Sequence, residues 1–122
     1  MDQEAFVGRL ERYFAAWTSN DPDDVAALFG ADAVYSYGPF RDEVRGLQEI
    51  ARRWVEGGVL PGLRWSYEPL ALEGERGVAN WRVSFDSGAG RTEIDGIFVL
   101  DFDEQGRCIS HREWYERRDV PA

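Results

Sequence analysis

Residues 91–118 read RTEIDGIFVLDFDEQGRCISHREWYERR, and their alternation of apolar and polar side chains predicts two long strands joined by a tight turn. In the first run, residues 92–102, the large apolar positions lie two apart. Residues 103–106, DEQG, form the predicted turn, with Gly106 free to adopt a positive φ. Residues 107–116 then continue as the neighbouring strand of an antiparallel hairpin.

The second strand of this hairpin carries most of the reactive side chains. Its alternation predicts one face with Ile109, His111, Glu113 and Tyr115, and an opposite face with Cys108, Ser110, Arg112, Trp114 and Glu116. The single histidine therefore shares a face with a carboxylate and a phenol at two-residue steps. If that face is buried, it is the chemically richest part of the sequence; if it faces water, we do not expect an enzyme.

Length and composition predict one domain over residues 1–122 with a proper core, since 43% of the residues are hydrophobic and 14% are aromatic. The net charge of −9 disfavours nucleic acid and anionic membranes as partners, because both require a basic surface. One cysteine, Cys108, leaves no internal disulfide and fits a reducing compartment. With no targeting or membrane-spanning pattern, we expect a cytoplasmic protein.

Three helices are predicted in the first half. Residues 3–19 carry a stripe of aromatic and aliphatic side chains at spacings of three and four. Asp21 and Pro22 are typical of a helix start, as N-cap and first helical residue, and Gly30 is the predicted end of that helix. A third amphipathic helix begins at Leu47 and stops before two consecutive glycines.

The remaining segments are predicted strands and loops. A β-prone run covers residues 33–37, and the charged residues 40–45 are predicted to form a loop. Alternation predicts further strands at residues 63–72 and 78–86, ahead of the hairpin. Helices followed by a run of antiparallel strands favour an α+β fold with helices on one face of the sheet.

Four groups of residues accompany this order of elements: Glu11-Arg12-Tyr13 with Ala15-Ala16, Asp21 to Phe29 with Ala31-Asp32-Ala33, Val83-Ser84-Phe85-Asp86, and Gly106-Arg107. Together with the order of elements they give the chain a resemblance to the nuclear transport factor 2-like superfamily, which includes SnoaL-like polyketide cyclases and ketosteroid isomerases. It implies a cystatin-like cone: a curved, antiparallel (mixed) sheet wrapped around a long N-terminal helix, with three helices in all. It also implies an apolar cavity that places Trp81, Phe98, His111, Glu113 and Tyr115 inside.

Within that superfamily, the match to ketosteroid isomerases predicts that this chain is not a steroid isomerase. Tyr13 stands where that family has a tyrosine donor to the dienolate oxygen. The general-base aspartate falls at Tyr37, however, and the protonated aspartate of the oxyanion hole falls at Phe98. The pocket is expected to remain, although two of the three groups are replaced.

Other superfamily members suggest a different base. SnoaL-like cyclases are similar in using an acid in the last strand, and Glu113 occupies that place with one extra methylene. Epoxide hydrolases of the superfamily carry Arg-x-Asp in the third strand of the sheet, whereas residues 82–84 read Arg-Val-Ser. The resemblance therefore favours proton abstraction over epoxide opening.

Three residues are the catalytic candidates, each with a structural alternative. Glu113 is the candidate general base; alternatively it is a rim carboxylate or is paired with an arginine. His111 is a candidate to share a proton with Glu113 or to orient a substrate oxygen, and alternatively is a structural histidine. Tyr13 is a candidate donor to a carbonyl or enolate oxygen, or else a core tyrosine.

Large aromatic side chains supply the ligand-binding candidates, which are Trp17, Tyr37, Trp54, Trp81, Phe98 and Tyr115. At helical and strand spacing, such residues alternatively form the core. Apolar residues on the opposite sheet face, Ile97, Val99 and Trp114, suggest a homodimer interface. One histidine and one distant cysteine supply too few ligands for a metal, and no motif indicates a cofactor.

The leading hypothesis is therefore a SnoaL-like small-molecule pocket protein, working as a cofactor-independent isomerase, cyclase or dehydratase on a small apolar carbonyl compound. The alternative is a non-catalytic binder of apolar ligands, a protein-interaction adaptor, or a pseudoenzyme of the same fold. The cavity distinguishes them: an open cavity reached by Glu113 and His111 favours the enzyme, and a filled cone favours the adaptor.

Overall fold

A computed structural model describes residues 1–121 of the chain. Its elements are α1 (Gln3–Ser19), α2 (Pro22–Ala26), β1 (Phe29–Ser36), β2 (Val44–Arg45), α3 (Leu47–Glu56), β3 (Arg64–Glu73), β4 (Arg76–Ser87), β5 (Gly90–Phe102) and β6 (Cys108–Pro121). The six strands form one open sheet in the order β2-β1-β6-β5-β4-β3. Neighbouring strands are antiparallel except β1 and β6, which are parallel. The predicted α+β cone with three helices is confirmed.

Helix α1 forms the centre of the cone. Asp2 caps its start by accepting a hydrogen bond from the amide of Ala5 at 2.8 Å, and Asn20 ends it in the left-handed region at φ 54°. Its apolar stripe crosses the concave face of the sheet: Phe6 packs edge-on against Phe102, and Phe14 stacks on Trp65. The helical periodicity of the sequence thus buries one face against two strands that are distant in sequence, β5 and β3.

The bounds of two predicted segments differ from the structure. The helix capped by Asp21 ends at Ala26, so Gly30 is not its stop and lies inside β1. Within the predicted loop, Val44 and Arg45 form the short strand β2. Val44 is buried against the core, and this tertiary contact gives the short segment a place at the sheet edge.

A bulge near the turn of the C-terminal hairpin corrects one predicted side-chain orientation. Asp101 pairs with Ser110, but Phe102 pairs with Cys108, so Ile109 is the extra residue. Cys108 consequently points into the core, and Ile109 is exposed instead of sharing the face of His111. Beyond the bulge the predicted alternation holds, and His111 and Glu113 are buried.

Two further observations bear on the kind of site the fold can offer. None of the helices within residues 1–121 combines the length and the hydrophobicity required to cross a membrane. In the same residues, no three histidine, cysteine, aspartate or glutamate side chains come close enough together to hold a metal ion.

Candidate active site

The pairing of β1 with β6 and of β6 with β5 determines which side chains meet inside the cone. Tyr35 lies beside His111 in the parallel pair, and Phe98 lies opposite Glu113 in the antiparallel pair. Only 1% of the surface of His111 and 5% of that of Glu113 are exposed. A buried histidine and a buried glutamate two residues apart need polar partners, and the register supplies them.

Glu113 is held through one oxygen only. Its Oε1 accepts hydrogen bonds from the Tyr35 hydroxyl at 2.7 Å and from His111 Nε2 at 2.8 Å. Its Oε2 has no hydrogen bond within residues 1–121, yet it is not one of the fully buried atoms that lack a partner. Glu113 lines the cavity that the helices and the inner sheet face share, which is called the main cavity for that position and not for its size, and Oε2 is therefore open to it. The carboxylate is thus fixed by two donors and presents a free oxygen to a ligand.

The hydroxyls of Tyr13 and Tyr35 form a directed chain that ends at this carboxylate. Their oxygens lie 2.8 Å apart. A phenol has one proton to donate, and Tyr35 donates its proton to Glu113, so Tyr13 must be the donor to Tyr35. The proton of Tyr13 is therefore engaged inside the protein in the absence of a ligand.

His111 lies in an aromatic environment that fixes its plane. The ring of Tyr35 stacks on it at 3.9 Å, and that of Tyr13 lies on the same stack at 5.3 Å. The hydrogen bond to the carboxylate assigns a proton to Nε2. The other nitrogen, Nδ1, is buried and has no hydrogen-bond partner in the described part of the chain. Beside His111 is a separate cavity of ≈ 20 Å³, which is large enough for a single water to satisfy such an atom.

The main cavity opens in front of Glu113 and has a volume of ≈ 660 Å³. The predicted site residues that line it are Tyr13, Trp17, Tyr37, Trp54, Trp81, Glu113 and Tyr115. His111 and Phe98 do not reach it. Phe98 is fully buried between the ring of Trp81, stacked at 4.8 Å, and the edge of His111.

Sequence reasoning missed five residues of the cavity lining, which are Tyr35, Arg41, Ile94, Glu116 and Arg117. Tyr35 lies in β1, two residues before Tyr37, which directly follows the strand, and Arg117 lies two residues after Tyr115 in β6. Strand alternation could have placed both on the inner face. Arg41 lies in the loop after β1, where no periodicity applies. Its position depends on tertiary contacts alone.

Burial and charge act together on the phenols of the site. Desolvation, followed by the charge of Glu113, holds the pKa values of Tyr13 and Tyr35 well above the usual range. The same two causes raise the pKa of Tyr37 to about 12. All three phenols therefore remain protonated at neutral pH. Only Tyr37 among them has a hydroxyl without a hydrogen bond to the residues that the structure describes.

Gly96 allows Trp81 to lie flat against the inner sheet face. The two residues are directly opposite each other in β4 and β5. A Cβ at Gly96 would overlap the carbonyl oxygen of Trp114 and lie 2.8 Å from Trp81 Nε1. The indole N–H is buried and has no acceptor within residues 1–121. It is an unused donor on a residue that lines the cavity.

The chain is similar to one family model, to a steroid isomerase and to a solved epoxide hydrolase structure. The family model of the SnoaL-like domain matches residues 10–111. A steroid Δ-isomerase from Nocardioides simplex is 32% identical over 113 residues, which cover 91% of this chain and 89% of that protein. The solved structure of an LEH-like epoxide hydrolase from M. tuberculosis superposes with a TM-score of 0.72 and 18% identity, covering 93% of this chain and 84% of the other. This structural likeness shows a shared fold.

Proposed function

The chain belongs to the family of SnoaL-like domains, and from that premise we propose that it is a cofactor-independent acid–base enzyme acting on a small carbonyl compound. The relatives found are named for reactions of small molecules, which supports a binding and catalytic use of the cavity. The observation that carries the proposal is the asymmetry of Glu113: Oε1 is held by two donors, while Oε2 is open to the cavity.

Glu113 is the general base of the proposed reaction. Its Oε2 takes a proton from a carbon next to the substrate carbonyl, and the C–H electron pair moves into a C=C bond as the carbonyl oxygen becomes an enolate oxygen. In a β,γ-unsaturated substrate the enolate is a dienolate, and return of the proton from Glu113 to its γ-carbon gives isomerisation. Attack of the enolate carbon on a second carbonyl, whose oxygen takes that proton, gives cyclisation. Loss of a β-hydroxyl group, which leaves as water with that proton, gives dehydration. The arrangement of Glu113 serves all three outcomes.

Tyr37 is the donor best placed to stabilise the enolate oxygen in this proposal. Its hydroxyl lines the cavity without a hydrogen bond within residues 1–121, and its pKa, raised to about 12, keeps it protonated. Tyr13 is less well placed, because its hydrogen bond to the Tyr35 hydroxyl would have to break before it could donate to a substrate. Tyr13, Tyr35 and His111 act here as positioning residues, because they reach the substrate through Glu113.

The same assignment separates this chain from the steroid Δ-isomerase that it resembles. The resemblance to ketosteroid isomerases matches their two catalytic aspartates to Tyr37 and Phe98, and Phe98 is fully buried. We therefore expect little turnover of a β,γ-unsaturated 3-ketosteroid. A non-catalytic binder would use the same cavity, but the free carboxylate oxygen inside it favours the enzyme over a filled-cone adaptor.

Hydrogen–deuterium exchange into carbon acids tests the proposal without a known substrate. A panel of aryl and cyclic ketones, with a β,γ-unsaturated 3-ketosteroid included, is incubated with the protein in D₂O, and deuterium at the α-carbon is measured by mass spectrometry. We expect accelerated exchange that Glu113→Gln lowers by at least about a hundredfold, the lower range for a general base. Exchange that Glu113→Gln leaves unchanged would contradict the assignment.

A homodimer through the outer sheet face completes the proposal. Ile97 and Trp114 are cross-strand neighbours on that face, and Trp114 is 41% exposed. Together with Val99 they form an apolar patch suited to self-association. Light scattering should report a dimer that Trp114→Glu dissociates, and a wild-type chain that remains monomeric at every concentration would refute it.

A further inference from the structure

Two arginines at the cavity opening have no acidic partner among the residues that the structure describes. Arg41 and Arg117 both line the main cavity, and neither forms an ion pair with any of the residues 1–121. The chain contains 23 acidic residues and only 14 basic ones, so an arginine has many possible partners. Seven other arginines, on α3 and on four of the strands, do pair with glutamate or aspartate.

The position of Arg41 is fixed by neutral groups. Its guanidinium donates to the Tyr115 hydroxyl at 2.8 Å and lies 5.5 Å from the centre of that ring. The adjacent backbone turns at Gly38, where an added Cβ would lie 3.9 Å from Arg41 Nε and 4.0 Å from the carbonyl oxygen of Glu113. A guanidinium has five N–H groups, and the contact with Tyr115 uses one. The others remain available for a planar anion.

The charges around the cavity differ in sign between its floor and its opening. Glu113 lies buried at the floor, and Arg41 and Arg117 lie at the opening, with Glu116 as the only acid beside them in the lining. Arg53 also acts here, since its charge lowers the pKa of Tyr37 against the larger effect of burial. An anionic group on a ligand is repelled by Glu113 and attracted by the arginines, so it can bind in only one orientation.

We propose that the ligand is an acid: a carbonyl compound with an apolar or aromatic body and a carboxylate or similar planar anion at the far end. Arg41 and Arg117 bind the anion, the aromatic residues of the wall bind the body, and the activated carbon lies against Glu113 Oε2. This inference rests on the proposed function and refines its substrate class from an apolar ketone to a keto acid. The net charge of −9 opposes anion binding in general, which makes the local arginine pair necessary.

The test compares a ligand with its uncharged counterpart. We would titrate 4-oxo-4-phenylbutanoate and 4-oxo-4-phenylbutanamide into the protein at low salt and follow tryptophan fluorescence, since Trp17, Trp54 and Trp81 line the cavity. The acid should bind about tenfold more tightly than the amide, as expected for one charge-assisted contact. Added salt should reduce this preference.

Variants identify the residues responsible. Arg41→Gln and Arg117→Gln should each lower the ratio of acid affinity to amide affinity towards one, because each removes a positive charge that favours only the acid. Arg107→Gln is the matched control, because Arg107 is exposed, does not line the cavity and its loss changes the net charge equally. Equal binding of acid and amide, binding of neither, or an equal effect of the control variant would overturn the inference.

α-Deuterium exchange of the same two ketones separates the two proposals. If the amide exchanges its α-hydrogen in a reaction that depends on Glu113, and the acid is not preferred, the proposal of an acidic ligand is wrong. The assignment of Glu113 as general base then stands. A preference for the acid without exchange in either compound supports the anion site and overturns the catalytic proposal.

Discussion

The phenol ring of Tyr35 lies flat on the imidazole of His111, with ring centres 3.9 Å apart and planes within 9°, and both side chains donate to the same oxygen of Glu113. The parallel pairing of β1 and β6 produces this stack, because Tyr35 and His111 are register partners. Two strands that are distant in sequence therefore orient one carboxylate. Each donor can be removed without touching the free Oε2, so positioning can be tested separately from chemistry.

Replacing Tyr35 with phenylalanine tests the value of this network. The variant removes one donor to Glu113 and leaves the buried Tyr13 hydroxyl without its partner. We expect a loss of about 1–3 kcal/mol in the free energy of unfolding, the usual penalty for a buried polar group left unpaired. Urea denaturation measures it. Tyr67→Phe is the matched control, because Tyr67 bonds to Glu11 at the surface and should lose much less. Equal losses in the two variants would contradict the role assigned to the network.

A second prediction concerns stability above pH 10. The pKa values of Tyr13 and Tyr35 are well above 10 because of burial, and those of Tyr37 and Tyr67 are raised to about 12. The unfolded chain loses these protons near pH 10, whereas the folded chain keeps them. Folding stability should therefore be intact below pH 10 and fall as the pH rises towards 12.

Ultraviolet absorbance of tyrosinate measures this difference directly. At pH 10.5, native protein should show far less tyrosinate than the urea-unfolded chain, in which about three quarters of the five tyrosines are ionised. Tyr37→Phe should weaken the decline of the urea midpoint between pH 8 and pH 10.5. Full ionisation of the native tyrosines at pH 10.5 would show that the phenols are not desolvated as described.

Much of this fold is readable from local patterns. The stripe of α1, the cap at Asp21, and the alternation of β4 and β5 each depend on neighbours in sequence, so periodicity and turn chemistry predict them. The buried orientation of Glu113 was expected only through the family resemblance, since one bulge reverses the faces of a strand. That bulge exists, and it falls at Ile109, two residues before the site.

The features that the sequence did not reveal depend on long-range contacts. Tyr35 acquires its role by pairing with a strand 76 positions further along, at His111. Arg41 reaches the cavity because its loop packs against Tyr115. The direction of the Tyr13–Tyr35–Glu113 chain also requires coordinates, because it follows from counting protons between specific atoms.

Cys108 provides a third prediction that follows from the bulge. The inward turn buries its thiol, which donates to the carbonyl of Ser110 at 3.3 Å, and desolvation raises the thiol pKa to about 12. Since the thiolate is the reactive form, native protein at pH 8 should react with Ellman's reagent far more slowly than the urea-unfolded chain. Cys108 is the only cysteine, so the signal is unambiguous. Rapid modification of the native protein would place Cys108 on the outer face and remove the bulge.

Replacing either of two glycines, Gly8 in α1 or Gly77 in β4, with alanine should change the free energy of unfolding, in opposite directions. Gly8 lies in α1 with nothing within 4 Å of an added Cβ, so Gly8→Ala should stabilise the protein by about 0.5–1 kcal/mol through helix propensity. Gly77 is in β4, and a Cβ there would overlap the ring of the fully buried Phe6. Gly77→Ala should therefore cost about 1–3 kcal/mol by overpacking.

A double-mutant cycle shows whether the contact with Phe6 causes that cost. Phe6→Leu alone removes aromatic packing against Phe102 and should also destabilise the protein. In the double variant, the smaller side chain makes room for the new methyl group. The double variant should therefore lose less unfolding free energy than the sum of the losses of the two single variants. Urea denaturation of the four proteins measures the coupling. Strictly additive losses would mean that the helix and β4 do not meet at Gly77, and that α1 does not lie in the cone as described.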